Sequence, residues 1–126
     1  MLFLRKTAHY WISLLAIAGV VGLVLLNLNL SEQFVHQDEF APRWVAAKQW
    51  MTEGTSPYDR EVFEQTQALW ETYGYTEDEF SQGHYLDLVW NLILFLPFSF
   101  LPYLVARAIW MTIITLALFF SVWFGF

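Results

Sequence analysis

From Leu88 to Phe126 the chain carries one charged residue, Arg107, over a run of roughly 39 positions. An α-helix needs about 20 apolar residues to cross a hydrocarbon core about 30 Å thick. This run is too long for a single crossing, even a tilted one. A second chargeless stretch runs from Trp11 to Leu26, shortly after Arg5 and Lys6. Lipid offers backbone groups no hydrogen bonds, and a helix satisfies its own. The pattern therefore predicts an all-α integral membrane protein whose direct neighbours are membrane lipids.

Punctuation divides the long run. Proline lacks a donor N–H and pushes its predecessor towards an extended conformation, so Leu101-Pro102 is the natural break in Pro97 to Pro102. Breaking there predicts three transmembrane helices, over roughly Ala8–Leu30, Tyr85–Phe100 and Tyr103–Phe124. Two spans, with 88–102 as a re-entrant or interfacial piece, is the runner-up. The chain accordingly divides into 1–30, an acidic helical loop over 31–85, and a transmembrane hairpin over 86–126. The first run ends in NLNLSEQ without a small-x-small cleavage pattern, which favours a retained anchor over a signal peptide.

The net charge of −6 is unevenly spread, for all twelve acids lie between Glu32 and Asp87. Short basic segments stay in the cytoplasm. That rule puts the amino terminus inside and 31–85 outside, with the carboxyl terminus outside if there are three spans. Arg107 then falls near the cytoplasmic face, where it would snorkel to headgroups. No basic surface suits nucleic acid. The absence of cysteine excludes disulfides, thiolate metal sites and a cysteine nucleophile.

The loop reads as folded. A helix is expected over 38–54, with Pro42 in its first turn and Gly54 at a left-handed cap. Phe40, Trp44, Ala47 and Met51 form its apolar stripe. A second helix is expected from Asp59 to just before Gly74. Its apolar face is Val62, Phe63, Thr66, Leu69, Trp70 and Tyr73. Thr76 to Glu79 fits a capping box. Both helices are amphipathic and are expected to lie flat on the membrane or on a partner.

The order of features resembles the amino-terminal part of the family 87 glycosyltransferases, polyprenol-phosphate-mannose-dependent enzymes of the C-type membrane fold. Asp38 with Phe40, Gly54-Thr55-Ser56-Pro57-Tyr58, Pro97 to Pro102, and Ala106, Arg107 and Trp110 match the family's motifs. Tyr85-Leu86-Asp87 stands where the family has two prolines. The resemblance covers most of this chain and about the first quarter to third of such an enzyme. It implies that Asp38 is the general base for an acceptor hydroxyl, a role worth about 10²–10⁴-fold in rate. It also implies that Arg43 and Tyr58 border the sugar or phosphate of a polyprenyl-phosphate donor. The residues alone give Asp38 a second reading, as a helix N-cap.

His9, His36 and His84 are the three histidines. Each could ligate a haem or chlorin, or could be a polar residue at the membrane interface. No two of them share the i, i+4 spacing of a helical metal site, and no cofactor is predicted. Two function classes follow. The leading expectation is a non-catalytic accessory subunit packed against other transmembrane subunits of a larger complex, of the kind found in respiratory and photosynthetic assemblies. The alternative is a lipid-linked-sugar glycosyltransferase, or its amino-terminal fragment, working through Asp38.

Overall fold

The computed structural model describes residues 2–33, 39–74, 85 and 87–125, with side chains in the first segment from residue 7 onward. Among these residues every regular element is helical. Helix α1 covers Leu2–Gln33, α2 Phe40–Glu53, α3 Arg60–Thr72, α4 Leu92–Phe95 and α5 Tyr103–Gly125. Single 3₁₀ segments, Val89–Asn91 and Leu96–Phe100, flank α4. Together these three form a bent helical piece, Val89–Phe100, here called the elbow.

Two helices, α1 and α5, are long and apolar enough to cross a membrane. Both lack an interior proline, and Pro102 stands just ahead of α5. Leu101 is extended, with φ −100° and ψ 151°, as a residue before proline should be. The break expected at Leu101-Pro102 is therefore present. The piece ahead of it differs from the expected middle span. It holds only 12 residues, Val89–Phe100, and reaches at most about 24 Å even at the 3₁₀ rise, short of a 30 Å core. Pro97 near the start of its second 3₁₀ segment prevents a continuous α-helix. Among the described residues two helices thus qualify as candidate spans, and the elbow falls short of the length.

Helices α1 and α5 pack antiparallel, and polar side chains fix the register. Asn27 Nδ2 donates to Thr112 Oγ1 at 2.9 Å, and Arg107 Nη1 donates to the Ser31 carbonyl at 2.9 Å. The Ser31 hydroxyl lies 3.6 Å from Met111 Sδ. Arg107 is 6% exposed, so the expected snorkelling to headgroups does not occur. It sits level with the carboxyl-terminal end of α1, where orphan carbonyls and the negative end of the helix dipole favour a cation. The contact is confined to one end of the pair. Before Leu23 of α1 and beyond Leu116 of α5, every described side chain is exposed.

Helix α2 is the centre of the cap. Gly54 closes it at φ 69°, the left-handed position that a residue without Cβ adopts without strain. Phe40, Ala41, Pro42, Trp44, Val45, Ala46, Ala47 and Gln49 are all buried. Alanines at 41, 46 and 47 let α3, the elbow and α5 approach from different sides. This corrects the expectation of one apolar stripe lying on a membrane, and Met51, assigned to that stripe, is exposed. In α3 the expected face holds: Val62, Thr66 and Trp70 are buried, with Leu69 and Tyr73 packed on the core.

An aromatic knot joins cap to α5. Phe40 lies 5.8 Å from Phe95, 6.1 Å from Tyr103 and 6.3 Å from Trp110, centroid to centroid. Phe95 and Trp110 are closer still, at 4.8 Å. Such offset and edge geometries add about 0.5–1.5 kcal/mol per pair beyond area burial.

Candidate functional site

The polar residues of the cap converge on one carboxylate that the sequence reading did not single out, Asp87. Arg43 projects from the first turns of α2, and its Nε donates to Asp87 Oδ2. Its Nη2 donates to Glu39 Oε2 at 3.1 Å, an i, i+4 pair across the amino-terminal turn. Tyr58, in the turn that leads into α3, donates its hydroxyl to the Asp87 carbonyl at 2.6 Å. Tyr85 donates to the Leu88 carbonyl at 2.9 Å, and its ring lies 5.5 Å from that of Tyr58. The Arg43 guanidinium also stands 5.8 Å from the Phe95 ring centre, within cation–π range.

The electrostatics follow from this crowding. Desolvation works against the Arg43 charge, but the hydrogen bond and charge of Asp87, with help from Glu39, outweigh it and raise the pKa. Burial, then the Asp87 carboxylate and Tyr58, push the Tyr85 phenol up to about 12. Burial alone raises Tyr73. Arg43 and Tyr58 are thus brought together as the resemblance implied, but around a carboxylate and a carbonyl of this chain. Neither arrangement pairs a nucleophile with a base. What the cluster does is tie α2 and the turn before α3 to the residue that leads into the elbow.

Asp38, His36 and His84 lie outside the described residues, as does the expected capping box at 76–79. At the start of α2 the cap position is taken by Glu39, which makes no side-chain capping bond. Asp59 does hold the cap position of α3, in extended conformation, though its side chain also makes no capping bond. His9 is exposed on α1. Among the described residues no group of three His, Asp or Glu side chains is placed to hold a metal ion. A signal for Asp87 was present in the sequence. It is the last acid before a run with no other acid, and an acid at such a boundary is most stable with a cation beside it.

Comparison of the chain with protein-family models, with curated proteins and with solved structures finds no match in any of the three.

Proposed function

We propose that the chain is a non-catalytic accessory subunit of a larger membrane complex, crossing the bilayer twice through α1 and α5. Its cap, 31–85, would stand on the extracytoplasmic face, and both ends of the α1–α5 pair would meet the cytoplasmic face, where Arg5 and Lys6 belong. The observation that carries this reading is the use of Arg43 and Tyr58. The side chains that a sugar-transfer reading needs at the substrate are bonded to Asp87 and Glu39 instead. Two helices in contact at one end also cannot enclose a polyprenyl donor, an acceptor and a product path. Their open flanks, rich in Ile, Leu, Phe and Trp, suit lipid and neighbouring transmembrane helices.

The test is photo-crosslinking in the native membrane from single positions on both flanks, Ile17 and Leu118. The reading expects a stoichiometric adduct of one defined mass from at least one flank. Lipid adducts alone from both flanks, together with a monomeric chain on native mass analysis, would sink it.

A second reading, the polyprenyl-phosphate-sugar transferase, draws support from the convergence of Arg43 and Tyr58 on one spot near the start of α2, which Asp38 precedes by two residues in the sequence. Its test is mannosyl transfer from polyprenyl-phosphate mannose to an acceptor sugar by the purified chain. Turnover abolished by Asp38→Asn would replace the accessory reading; turnover that survives Asp38→Asn would remove that residue as base.

A further inference from the structure

The elbow has two faces of opposite fate. Leu92, Phe95 and Phe98 are buried against α2 and Trp110. The other side presents Trp90, Ile93, Leu94 and Phe100, exposed by 68%, 59%, 60% and 74%. A mainly apolar outward face of this size, with Asn91 its one exposed polar side chain, is unusual where water is the neighbour.

The register of α1 and α5 gives this face a depth. Asn27 pairs with Thr112 and Ser31 with Arg107, so Trp110 lies level with α1 between residues 27 and 31. Phe95 and Phe98 touch Trp110, which puts the elbow at that same level. Exposed Tyr10 and Trp11 mark the opposite interface, as such residues do at headgroup depth. Twenty residues of helix from Trp11 end at Ser31, about 30 Å away. The elbow therefore runs at the outer edge of the hydrocarbon, with its open face continuous with that of α5.

Its backbone is prepared for the same place. Non-helical backbone at membrane depth survives only if its polar groups are satisfied by protein, and backbone N–H groups already reach the Leu88 and Phe98 carbonyls. Tyr58 and Tyr85 donate to the carbonyls of Asp87 and Leu88 at one end. At the other, Trp44 Nε1 donates to the Phe98 carbonyl at 3.0 Å and the Ser99 hydroxyl to that of Leu96 at 2.7 Å. Side-chain donors thus reach two carbonyls within the elbow and two immediately ahead of it.

We infer that the elbow is a leaflet insert, whose Trp90–Ile93–Leu94–Phe100 face is covered by acyl chains of the outer leaflet. The inference rests on the reading of α1 and α5 as membrane spans. The chain has no cysteine, so single substitutions accept a nitroxide label cleanly. Full-length chain carrying Ile93→Cys or Leu94→Cys is reconstituted in phosphatidylcholine vesicles, with Leu118→Cys as span control and Glu64→Cys as cap control. Collisional broadening by oxygen and by a water-soluble nickel chelate is then compared. Oxygen should dominate at 93 and 94 as it does at 118, and nickel should dominate at 64. Nickel-dominated broadening at 93 and 94, with 118 still oxygen-dominated, overturns the insert and leaves the spans standing. Nickel at all four positions overturns the spans themselves. Protection from both reagents at 93 and 94 overturns acyl-chain cover in favour of a protein neighbour, a second copy included.

Discussion

If Arg43 is held by Asp87, removing both residues should cost less than the sum of the two single removals. The pair is intermediate in burial, with the two side chains 25% and 27% exposed. Exposed pairs are worth about 0.2–1 kcal/mol, while breaking a fully buried pair costs about 3–5 kcal/mol. Discounted for solvent screening, the coupling between Arg43 and Asp87 should be about 1–2 kcal/mol. A cycle of Arg43→Ala, Asp87→Ala and the double variant, followed by thermal unfolding in mild detergent, measures it. For a chain of this size 1 kcal/mol corresponds to about 3–5 °C in Tm. The double variant should therefore melt about 3–10 °C above the temperature expected from adding the two single losses. Additive losses, with coupling below about 0.5 kcal/mol, would mean that Arg43 is not committed to Asp87. It would then be available to a ligand, and the argument against the transferase would lose its main support.

Three further outcomes follow from the same packing. Tyr85 is 4% exposed and its phenol is raised to about 12, so between about pH 10 and 12 only the unfolded chain releases this proton. Its contribution is complete below pH 10 and is lost as pH rises through 12, a fall of about 2–3 kcal/mol; Tyr85→Phe should flatten that slope in unfolding curves taken across the window, and an unchanged slope would refute it. Trp44→Phe removes one of two bonds to the Phe98 carbonyl, the indole's at 3.0 Å, and leaves that from the Leu101 N–H at 3.1 Å, so it should cost about 0.5–1.5 kcal/mol by calorimetry; a loss above about 3 kcal/mol would show that the Leu101 amide does not satisfy that carbonyl. Gln49 is buried and its Oε1 has no hydrogen-bond partner among the described residues, so Gln49→Met should raise stability by about 1 kcal/mol, read as a higher Tm; a drop in Tm would show that the amide does serve the core.

Local rules were legible and long-range ones were not. Gly54, Gly74 and Pro102 bound their helices where turn chemistry requires, and the period of α3 revealed its buried side. The long run left the number of spans open because hydropathy measures composition, and its first part forms a short apolar piece of 12 residues with Pro97 inside it. Arg107 misled for a related reason. A charge-counting rule assigns it a side of the membrane, whereas its place is set by a carbonyl 76 positions earlier in the chain. In α2 the sequence marked Ala47 as part of one apolar stripe, whereas Ala41, Ala46 and Ala47 are all fully buried and their size lets neighbours close in on several sides. Of the cluster, Arg43 and Tyr58 were visible through motif resemblance. Asp87 was marked only as the last acid before the apolar run, since its partner lies 44 residues away and no local pattern links the two.

Antiparallel α1 and α5, if both cross the bilayer as proposed, return the chain to the face it started from. Single cysteines at Thr7 and Gly125, probed with a membrane-impermeant maleimide in intact and then opened cells, test this most directly. Both should be protected in intact cells and labelled only after opening, which puts the two ends on the cytoplasmic side. Labelling of Gly125→Cys but not Thr7→Cys in intact cells would put the ends on opposite faces, restore a third crossing, and contradict the account.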